Sequence, residues 1–363
     1  TFEESKMKDG VELIKHLFFS SETPIERVNV IIDKKITNIK ASKKNGNAIK
    51  KYLLNEMIWN KNSSVGLTNA LEYIKYLEKK EKNNKILDEY ENLKSNLFSQ
   101  NNMFLEIIGN KENYDNYISN MNILFEKFKE KKNPSILNKT LNLISPLEER
   151  VKNNICVPMA SLETSFLTQI TDGPNDFNDI DKIYLYILIE YLCTMEGIFW
   201  KEIRGEGLSY GYNINFNIET GILSFSLTKS TDVFKAYKKS LNIIKRFEND
   251  FKIEEDRLEA AKSSVIFMII EQEDNKRSSA YKSFINRIRN LPEKSRDINI
   301  NNIKKTTVKD LKLVFEKYIL KLFNKDKSNI VLTTSKNGYE EIIKNFNESN
   351  IEFKTKFEED LFQ

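Results

Sequence analysis

The sequence predicts an α+β fold, in which a mainly helical region is followed by an antiparallel-rich sheet covered by helices. Three observations point to this class. Apolar residues recur at helical spacing through the first third, segments of alternating polarity appear only beyond it, and two of these segments form a clear β-hairpin. With 363 residues, 40% of them hydrophobic, the chain can bury a substantial core and has the length of two domains.

The first third is predicted to be helical. Thr23-Pro24-Ile25-Glu26 reads as a capping box with proline at the first helical position. The apolar stripe that follows at helical spacing consists of Val28, Ile31, Ile32, Ile36 and Ile39. A second helix is expected over 47–59, and a third from 67 to about Leu97.

A linker is expected near the end of this region. The segment 102–109 is a candidate for a short strand, and the stretch 130–137 combines charge with Asn-Pro-Ser. Such a composition is typical of a connection between domains. We therefore expect one domain over 1–131 and another over 132–363.

Beyond the linker, a strand and a long helix come first. The segment 155–170 alternates at Leu162, Thr164, Phe166 and Thr168. This pattern predicts one strand with one buried face, and Pro158 marks an edge or a bulge near its start. A continuous apolar helix is expected to follow over 179–203.

A β-hairpin is then predicted around Glu219-Thr220-Gly221. The residues that alternate on its two arms are Ile214, Phe216 and Ile218 on the first and Leu223, Phe225 and Leu227 on the second.

Amphipathic helices follow: one through Phe234, Tyr237, Leu241 and Ile244, a long one from about Glu254 that breaks near 274–279, and one through Leu311, Val314, Phe315, Tyr318 and Leu322. Late strands at 329–334 and 351–357 flank a helix through Ile342, Ile343 and Phe346.

Charge and cysteine content narrow the function classes. The net charge of +4 is spread along the chain without a block of one sign, so neither nucleic acid nor a membrane surface is an expected partner. The apolar run 183–200 approaches membrane-spanning length, but it contains Glu190 and Glu196 and is expected to be a buried helix. Cys156 and Cys193 are expected to be core thiols in a reducing compartment, the cytoplasm or an organelle matrix.

A single histidine excludes several enzyme classes for the chain by itself. A catalytic zinc site usually needs three protein ligands, commonly with two imidazoles, and a serine or cysteine triad needs a histidine beside its nucleophile. The chain offers only His16. It stands in an apolar helical segment, where we expect a structural, partly buried ring.

The segment 204–211 invites two functional interpretations that its context excludes. Residues 207–211 satisfy Gly-x-Ser-x-Gly, but a nucleophile elbow lies between a strand and a following helix. Here a helix precedes, a strand follows, and no histidine comes later. A dinucleotide-binding loop is excluded by the same order of elements and by the glycine spacing.

What remains is a glycine-rich turn that enters the hairpin. Gly205, Gly207 and Gly211 allow close backbone approach, while Arg204 and Tyr210 present donors to a carbonyl oxygen of an extended ligand. The alternative is an ordinary helix end, with Gly205 as its cap and Arg204 on the helix dipole.

At this turn the sequence resembles the pitrilysin/insulinase family of inverted-motif zinc metallopeptidases, specifically the C-terminal half of the large single-chain branch that includes presequence protease. The family carries an arginine and a tyrosine six or seven positions apart in a glycine-rich turn of its last domain, and Arg204 and Tyr210 are six apart. In one group of that branch the turn reads Arg-Gly-x-Gly-Leu-Ala-Tyr-Gly, from which this chain departs only at Ser209.

The resemblance extends over nearly the whole chain. The segments that carry it are 13–49, similar to helices of the family's third domain, and 157–173, 191–203, 221–237 and 258–273, similar to the opening strand, long helix, hairpin return and next helix of the fourth. After the hairpin, relatives have tyrosine, arginine and proline where this chain has Thr228, Lys229 and Thr231. Lys229 keeps the charge without arginine's bidentate fork.

The resemblance implies two α/β sandwich domains, an incomplete third over 1–131 and a full fourth over 132–363. They would form the C-terminal half of an enzyme that cuts unfolded peptides in a closed chamber. Zinc and the H-x-x-E-H motif belong to the N-terminal half, and this chain, which lacks the motif, is expected to need no cofactor of its own. It would supply the chamber wall, with Arg204 and Tyr210 holding the scissile peptide and its developing oxyanion beside Gly205, Gly207 and Gly211.

Two expectations follow for partners and activity. The partners implied are peptide substrates and the N-terminal half of the same protein, and the isolated chain should bind no stoichiometric zinc and cleave no peptide. The alternative is a non-catalytic homologue that acts as a scaffold or partner-binding subunit.

Overall fold

The structure is a computed structural model that describes residues 3–59, 85–98, 109–125 and 154–359, with single residues 78, 107 and 361. The chain divides into two compact units. The ranges of the first are Thr1–Thr37, Lys75–Asn138 and Gln272–Asn290, and those of the second are Asn38–Ile74, Lys139–Glu271 and Leu291–Gln363. The linker at 130–137 and the domain boundary after 131 lie outside the described residues and stay predictions.

The described helices and strands are as follows. The helices are α1 (Met7–Phe19), α2 (Ile25–Ser42), α3 (Gly46–Ile58), α4 (Lys85–Leu97), α5 (Tyr114–Phe125), α6 (Asp181–Cys193), α7 (Val233–Asn249), α8 (Glu255–Glu271), α9 (Lys276–Ile288), α10 (Ser295–Lys305), α11 (Val308–Val314, continued by a π-helical stretch Phe315–Ile319 and by Leu320–Leu322) and α12 (Tyr339–Glu348). The strands are β1 (Ile155–Met159), β2 (Ser165–Asp172), β3 (Ser209–Asn217), β4 (Ile222–Ser230), β5 (Asn329–Ser335) and β6 (Lys354–Thr355).

The described part of the first unit is helical, as predicted. Val11 of α1 lies in a small core with Met121 and Leu124 of α5. His16, expected to be partly buried, is exposed. The reason is helical phase: five residues after Val11 correspond to about 140° of rotation, which takes the ring off the buried stripe. The strand expected at 102–109 falls almost wholly outside the described residues.

The second unit contains a six-stranded sheet in the order β3-β4-β2-β5-β1-β6. β3 and β4, β4 and β2, and β2 and β5 pair antiparallel, while β1 pairs parallel with β5 and β6. The predicted α+β fold with an antiparallel-rich sheet is therefore confirmed. The last strand is shorter than the expected 351–357.

The single strand expected over 155–170 is wrong, because the chain turns between Met159 and Ser165 and forms β1 and β2. The expectation of one buried face is also wrong, since β2 is buried on both faces over seven of its eight residues. Leu167 belongs to the main core, whereas the adjacent Phe166 lies under the start of α3. A β-carbon built on Gly46 would be 3.1 Å from Phe166 and 2.6 Å from Leu162, so α3 packs closely on that second face.

Pro158 sits where the sheet can accept it. Lys356 donates to the carbonyl of Cys156, and Lys336 donates to that of Met159, so backbone groups of β1 alternate between β6 and β5. The nitrogen of Pro158 faces the β6 side, beyond the two residues that pair with β6. Its missing donor therefore breaks no ladder hydrogen bond.

The predicted hairpin is confirmed. The alternating apolar residues of β3 and β4 are buried in the main core with residues of α6, α7 and α11. The side chain of Asn217 accepts from the backbone of Glu219 at 2.9 Å and of Thr220 at 3.3 Å, and Gly221 has φ +63°. These features close the turn where the sequence indicated it.

The continuous helix expected over 179–203 is wrong. α6 ends at Cys193, and the backbone of Gly197 donates to Thr194 at 3.0 Å while Glu196 takes a left-handed φ of +62°. The chain then re-enters a helical path that ends in a π-helical segment, Trp200–Arg204. Among the described residues, no helix has the length and apolar character needed to cross a membrane.

Of the later helices, the break expected near 274–279 is confirmed, since α8 ends at Glu271 and α9 begins at Lys276. α10 was not expected from the sequence. Its segment is polar, with one fully buried residue, Ile303, so its periodicity is weak.

Candidate functional site

Buried side chains hold the π-helical segment Trp200–Arg204 against the main core. Phe199 and Ile203 are fully buried, and the Phe199 ring centroid lies 5.7 Å from that of Tyr212 and 6.0 Å from that of Phe225. Burial raises the pKa of Tyr212 to about 12, so its hydroxyl stays protonated and donates to the carbonyl of Cys193 at 3.3 Å. Arg204, which follows the buried Ile203, is exposed.

The glycine turn, residues 205–208, connects this segment to β3. A β-carbon on Gly205 would lie 2.6 Å from the carbonyl oxygen of Lys201, which only glycine tolerates, while its φ of −61° is ordinary. Gly207 has φ +71°. Gly211, also predicted to be near the ligand, lies in β3 opposite Thr228, where an added β-carbon would make ordinary contact.

Hydroxyl groups fasten the turn to the end of β4. Ser230 donates to the carbonyl of Leu208 at 2.6 Å, and Thr231 donates to that of Gly207 at 2.8 Å. Ser209, the departure from the similar motif, is buried and bonds to the carbonyls of Gly211 at 2.9 Å and Thr228 at 3.1 Å. Because its hydroxyl is committed to main-chain acceptors, Ser209 is a structural residue and not a nucleophile.

Arg204 and Tyr210 come together on the surface. The Tyr210 side chain is 67% exposed, and the guanidinium carbon of Arg204 lies 5.1 Å from its ring centroid. A cation above the face of an aromatic ring is attracted by the ring's quadrupole and keeps its N–H groups free for other acceptors. The helix does end beside Gly205, as the capping alternative expects, and the arginine also contacts the tyrosine.

Lys229 joins the same ring. Ser209 pairs with Ser230 and Gly211 with Thr228, so Tyr210 stands opposite Lys229 across the β3–β4 ladder. The amine of Lys229 lies 5.9 Å from the centroid of the Tyr210 ring. We call Arg204, Tyr210 and Lys229 the cation–phenol cluster.

A β-bulge in the pairing of β2 with β4 includes Lys229. Along β2, two steps separate Leu167 from Ser165, whereas their partners Leu227 and Ser230 in β4 are three apart. Lys229 has φ +50°, a left-handed conformation that costs a non-glycine residue about 1–2 kcal/mol. Such strain is common at functional sites. The sequence showed Lys229 as a departure from relatives, and its position across from Tyr210 could have been found by counting both arms of the predicted hairpin back from their turn.

The carboxylates beside the cluster are engaged elsewhere. Glu206 accepts from Lys239 at 2.7 Å, and Glu202 forms an ion pair with Arg246. Both cations belong to α7. Among the described residues, neither Arg204 nor Lys229 has a carboxylate partner, so the cluster carries uncompensated positive charge.

The part of the chain that the structure describes does not fit a zinc centre. In it, no group of three histidine, cysteine, aspartate or glutamate side chains is placed to hold a metal ion. His16 belongs to the first unit and the cation–phenol cluster to the second. Burial raises the pKa of both Cys156 and Cys193 to about 12, so neither thiol is poised to become a thiolate ligand.

Comparisons with known proteins come from sequence and from structure. No known protein-family profile matches the sequence. An uncharacterized protein of Schizosaccharomyces pombe is 25% identical over 350 residues, covering 93% of this chain and 34% of that protein. An uncharacterized protein of Saccharomyces cerevisiae is 24% identical over 353 residues, covering 88% of this chain and 33% of that protein. The chain thus spans about a third of the length of these two curated relatives.

Solved structures identify the fold. An inactive peptidase M16 domain from Pseudomonas fluorescens superposes with a TM-score of 0.67 at 14% identity, over 92% of this chain and 76% of its own. The periplasmic protease PqqL from Escherichia coli superposes with a TM-score of 0.66 at 12% identity, over 91% of this chain and 35% of its own. The fold is therefore that of M16-like peptidase domains.

Proposed function

We propose that this chain is the C-terminal half of a pitrilysin/insulinase-type (M16) zinc metallopeptidase of the presequence-protease-like branch. Two findings support the proposal: the M16-like fold and the resemblance of the glycine turn. The one-third share of longer relatives supports only that this chain is part of a larger protein. The observation that carries it is the contact between Arg204 and Tyr210, two exposed donors fixed at one turn.

In this proposal the cluster acts on the carbonyl group of the bond to be cut. The Tyr210 hydroxyl and the Arg204 guanidinium donate to the carbonyl oxygen as negative charge develops on it. Preorganised donors stabilise the transition state more than the ground state because they are already aimed where the charge appears. The anchoring of the turn by Phe199, Ser230 and Thr231 holds the donors in place.

The remaining machinery belongs outside this chain. The N-terminal half of the same protein would carry zinc and the H-x-x-E-H motif, and both halves would enclose unfolded peptides in a reducing compartment. Neither nucleic acid nor a membrane is a partner in this proposal. The isolated chain is accordingly inactive.

The test is Tyr210→Phe in the full-length, zinc-loaded protein. Loss of one oxyanion donor typically lowers kcat by about 10²–10³, and we expect the lower end because chamber walls also hold the substrate. KM should change less than kcat, since the contact strengthens in the transition state. Tyr281→Phe is the matched control, because Tyr281 is 68% exposed and lies in the first unit. Peptide cleavage by Tyr210→Phe within about twofold of the wild type would refute the role.

A second candidate is a non-catalytic homologue that acts as a scaffold or partner-binding subunit. It is favoured by the structural likeness to a domain described as inactive. The reading frame discriminates the two: an H-x-x-E-H motif upstream supports the enzyme, and a complete upstream sequence without it supports the scaffold.

A further inference from the structure

Positive charge is in excess around Tyr210, because the nearby carboxylates pair with other cations. Segment 201–206 contains two carboxylates, and both are paired with cations of α7. Arg204 and Lys229 instead face one exposed phenol at 5.1 and 5.9 Å. A tyrosine ring contributes attraction through its face but no neutralising charge, so the pair retains its affinity for an anion.

We propose that Lys229, with Arg204 beside it, forms a carboxylate subsite next to the Tyr210 hydroxyl, so that peptides with a carboxylate near the bound bond are preferred. The inference rests on the proposed function and adds the chemical class of the substrate. The carboxylate is either an acidic side chain or a peptide C-terminus, which present the same group.

The geometry supplies the two kinds of donor that such a subsite needs. Arg204 has five N–H donors, enough to serve both a carbonyl oxygen and a carboxylate, and its planar fork matches a carboxylate. Lys229 supplies a point charge with three donors. Its place opposite Tyr210 is fixed by the register of β3 on β4, and its amine lies 5.9 Å from the centroid of the Tyr210 ring.

The experiment measures binding to the 363-residue chain by fluorescence anisotropy. Four labelled peptides of one sequence carry either glutamate or glutamine at one position and either a free or an amidated C-terminus. We expect the wild type to bind carboxylate-bearing peptides about threefold to tenfold more tightly than the fully amidated glutamine peptide, the range for a few exposed charge-assisted contacts. The preference should shrink in high salt.

Two variants and a control assign the effect to Lys229. Lys229→Asn removes the charge and suits a left-handed backbone, so it should fold and lose most of the preference. Lys229→Arg should retain it. Lys309→Gln, a matched loss of one exposed charge on α11, should bind as the wild type does. Circular dichroism confirms that each variant is folded.

The outcomes separate this inference from the proposed function. If the wild type binds all four peptides equally, the subsite is wrong while peptide binding stands. If it binds none of them, the subsite on this chain is wrong, while the proposed function is judged by Tyr210→Phe in the full-length protein. If Lys229→Asn keeps the preference, or Lys309→Gln loses it equally, the general field of the protein is responsible and the subsite is wrong. The glutamate and C-terminal arms show which carboxylate is bound.

Discussion

Lys50 is a buried amine whose removal should stabilise the second unit. It lies in α3 with 6% of its surface exposed, and burial lowers its pKa from 10.5 to about 8. The Lys50 amine lies 5.9 Å from the centroid of the Phe166 ring. A ring at that distance offsets little of the cost of burying a charge. Lys50→Met keeps a flexible chain of similar length and removes the charge.

The pKa change gives the magnitude and the pH window. A pKa lower by about 2.5 in the folded state means that burial of the charged amine destabilises the fold by about 3 kcal/mol. The contact of the amine with the Phe166 ring offsets part of this cost. Between pH 8 and 10.5 the unfolded chain binds the proton and the folded chain does not, so wild-type stability rises with pH in that window. Lys50→Met should therefore be more stable by about 2 kcal/mol at pH 7, and the advantage should vanish near pH 10.5.

Urea unfolding followed by tryptophan fluorescence is the assay. The chain has two tryptophans, Trp59 and Trp200, and both belong to the second unit, so the signal reports on the unit that contains Lys50. Lys51→Met controls for the added methionine, because Lys51 is exposed on the same helix. An advantage of Lys50→Met that stays constant from pH 7 to 10.5, or a loss of stability at pH 7, would contradict the reasoning.

Two further predictions concern the core and the glycine turn. Cys156 is buried and Cys193 is half-buried against the main core, and burial raises the pKa of both thiols to about 12. Neither should therefore react rapidly with a thiol reagent at pH 8 until urea unfolds the protein, with Cys156 the more protected of the two, and rapid native labelling of either would be the contrary result. Ser230→Ala removes the 2.6 Å bond to Leu208 and should cost about 1 kcal/mol in urea unfolding, since the Leu208 carbonyl keeps a bond from the backbone of Thr231. Ser224→Ala, which removes an exposed bond, should cost clearly less, and equal losses would show that the Ser230 bond has no special role.

Patterns with a definite period predicted the structure well. The hairpin arms alternate strictly, and both arms and their turn lie where that alternation places them. The start of α3 near residue 47 was predictable for a similar reason, because a turn with Asn45 precedes it and the Asn45 side chain caps the helix by accepting from Ala48 at 3.0 Å.

Failures arose where a pattern ran across a boundary. The alternation from Leu162 to Thr168 continues through the end of a turn into β2, so two strands read as one. The end of α6 at Cys193 lies inside a continuous apolar run. In a helix buried on most sides the apolar residues show no clear helical periodicity, so no break in periodicity marks where the helix ends. The left-handed backbone at Glu196 leaves no sequence signal of its own.

The candidate site was predictable in its members but not in its geometry. The glycine pattern singled out Arg204 and Tyr210, which lie six residues apart. That they touch, and that Lys229 joins them from another strand, depends on pairing between strands and on a left-handed residue. The pairing of Tyr210 with Lys229 could have been counted from the predicted turn, because the turn of a hairpin fixes its register, but the contacts of Arg204 and Lys229 with the Tyr210 ring could not.

In the π-helical segment Trp200–Arg204, the number of residues determines the directions in which the side chains point. A π-turn holds one residue more than an α-helical turn, and each helical residue advances the side chains by about 100°. Deleting a single residue between Trp200 and Arg204 would restore α-helical pitch and rotate either the buried Ile203 outward or Arg204 away from Tyr210. We therefore expect a deletion in this segment to disturb the contact between Arg204 and Tyr210 more than a substitution at an exposed position does.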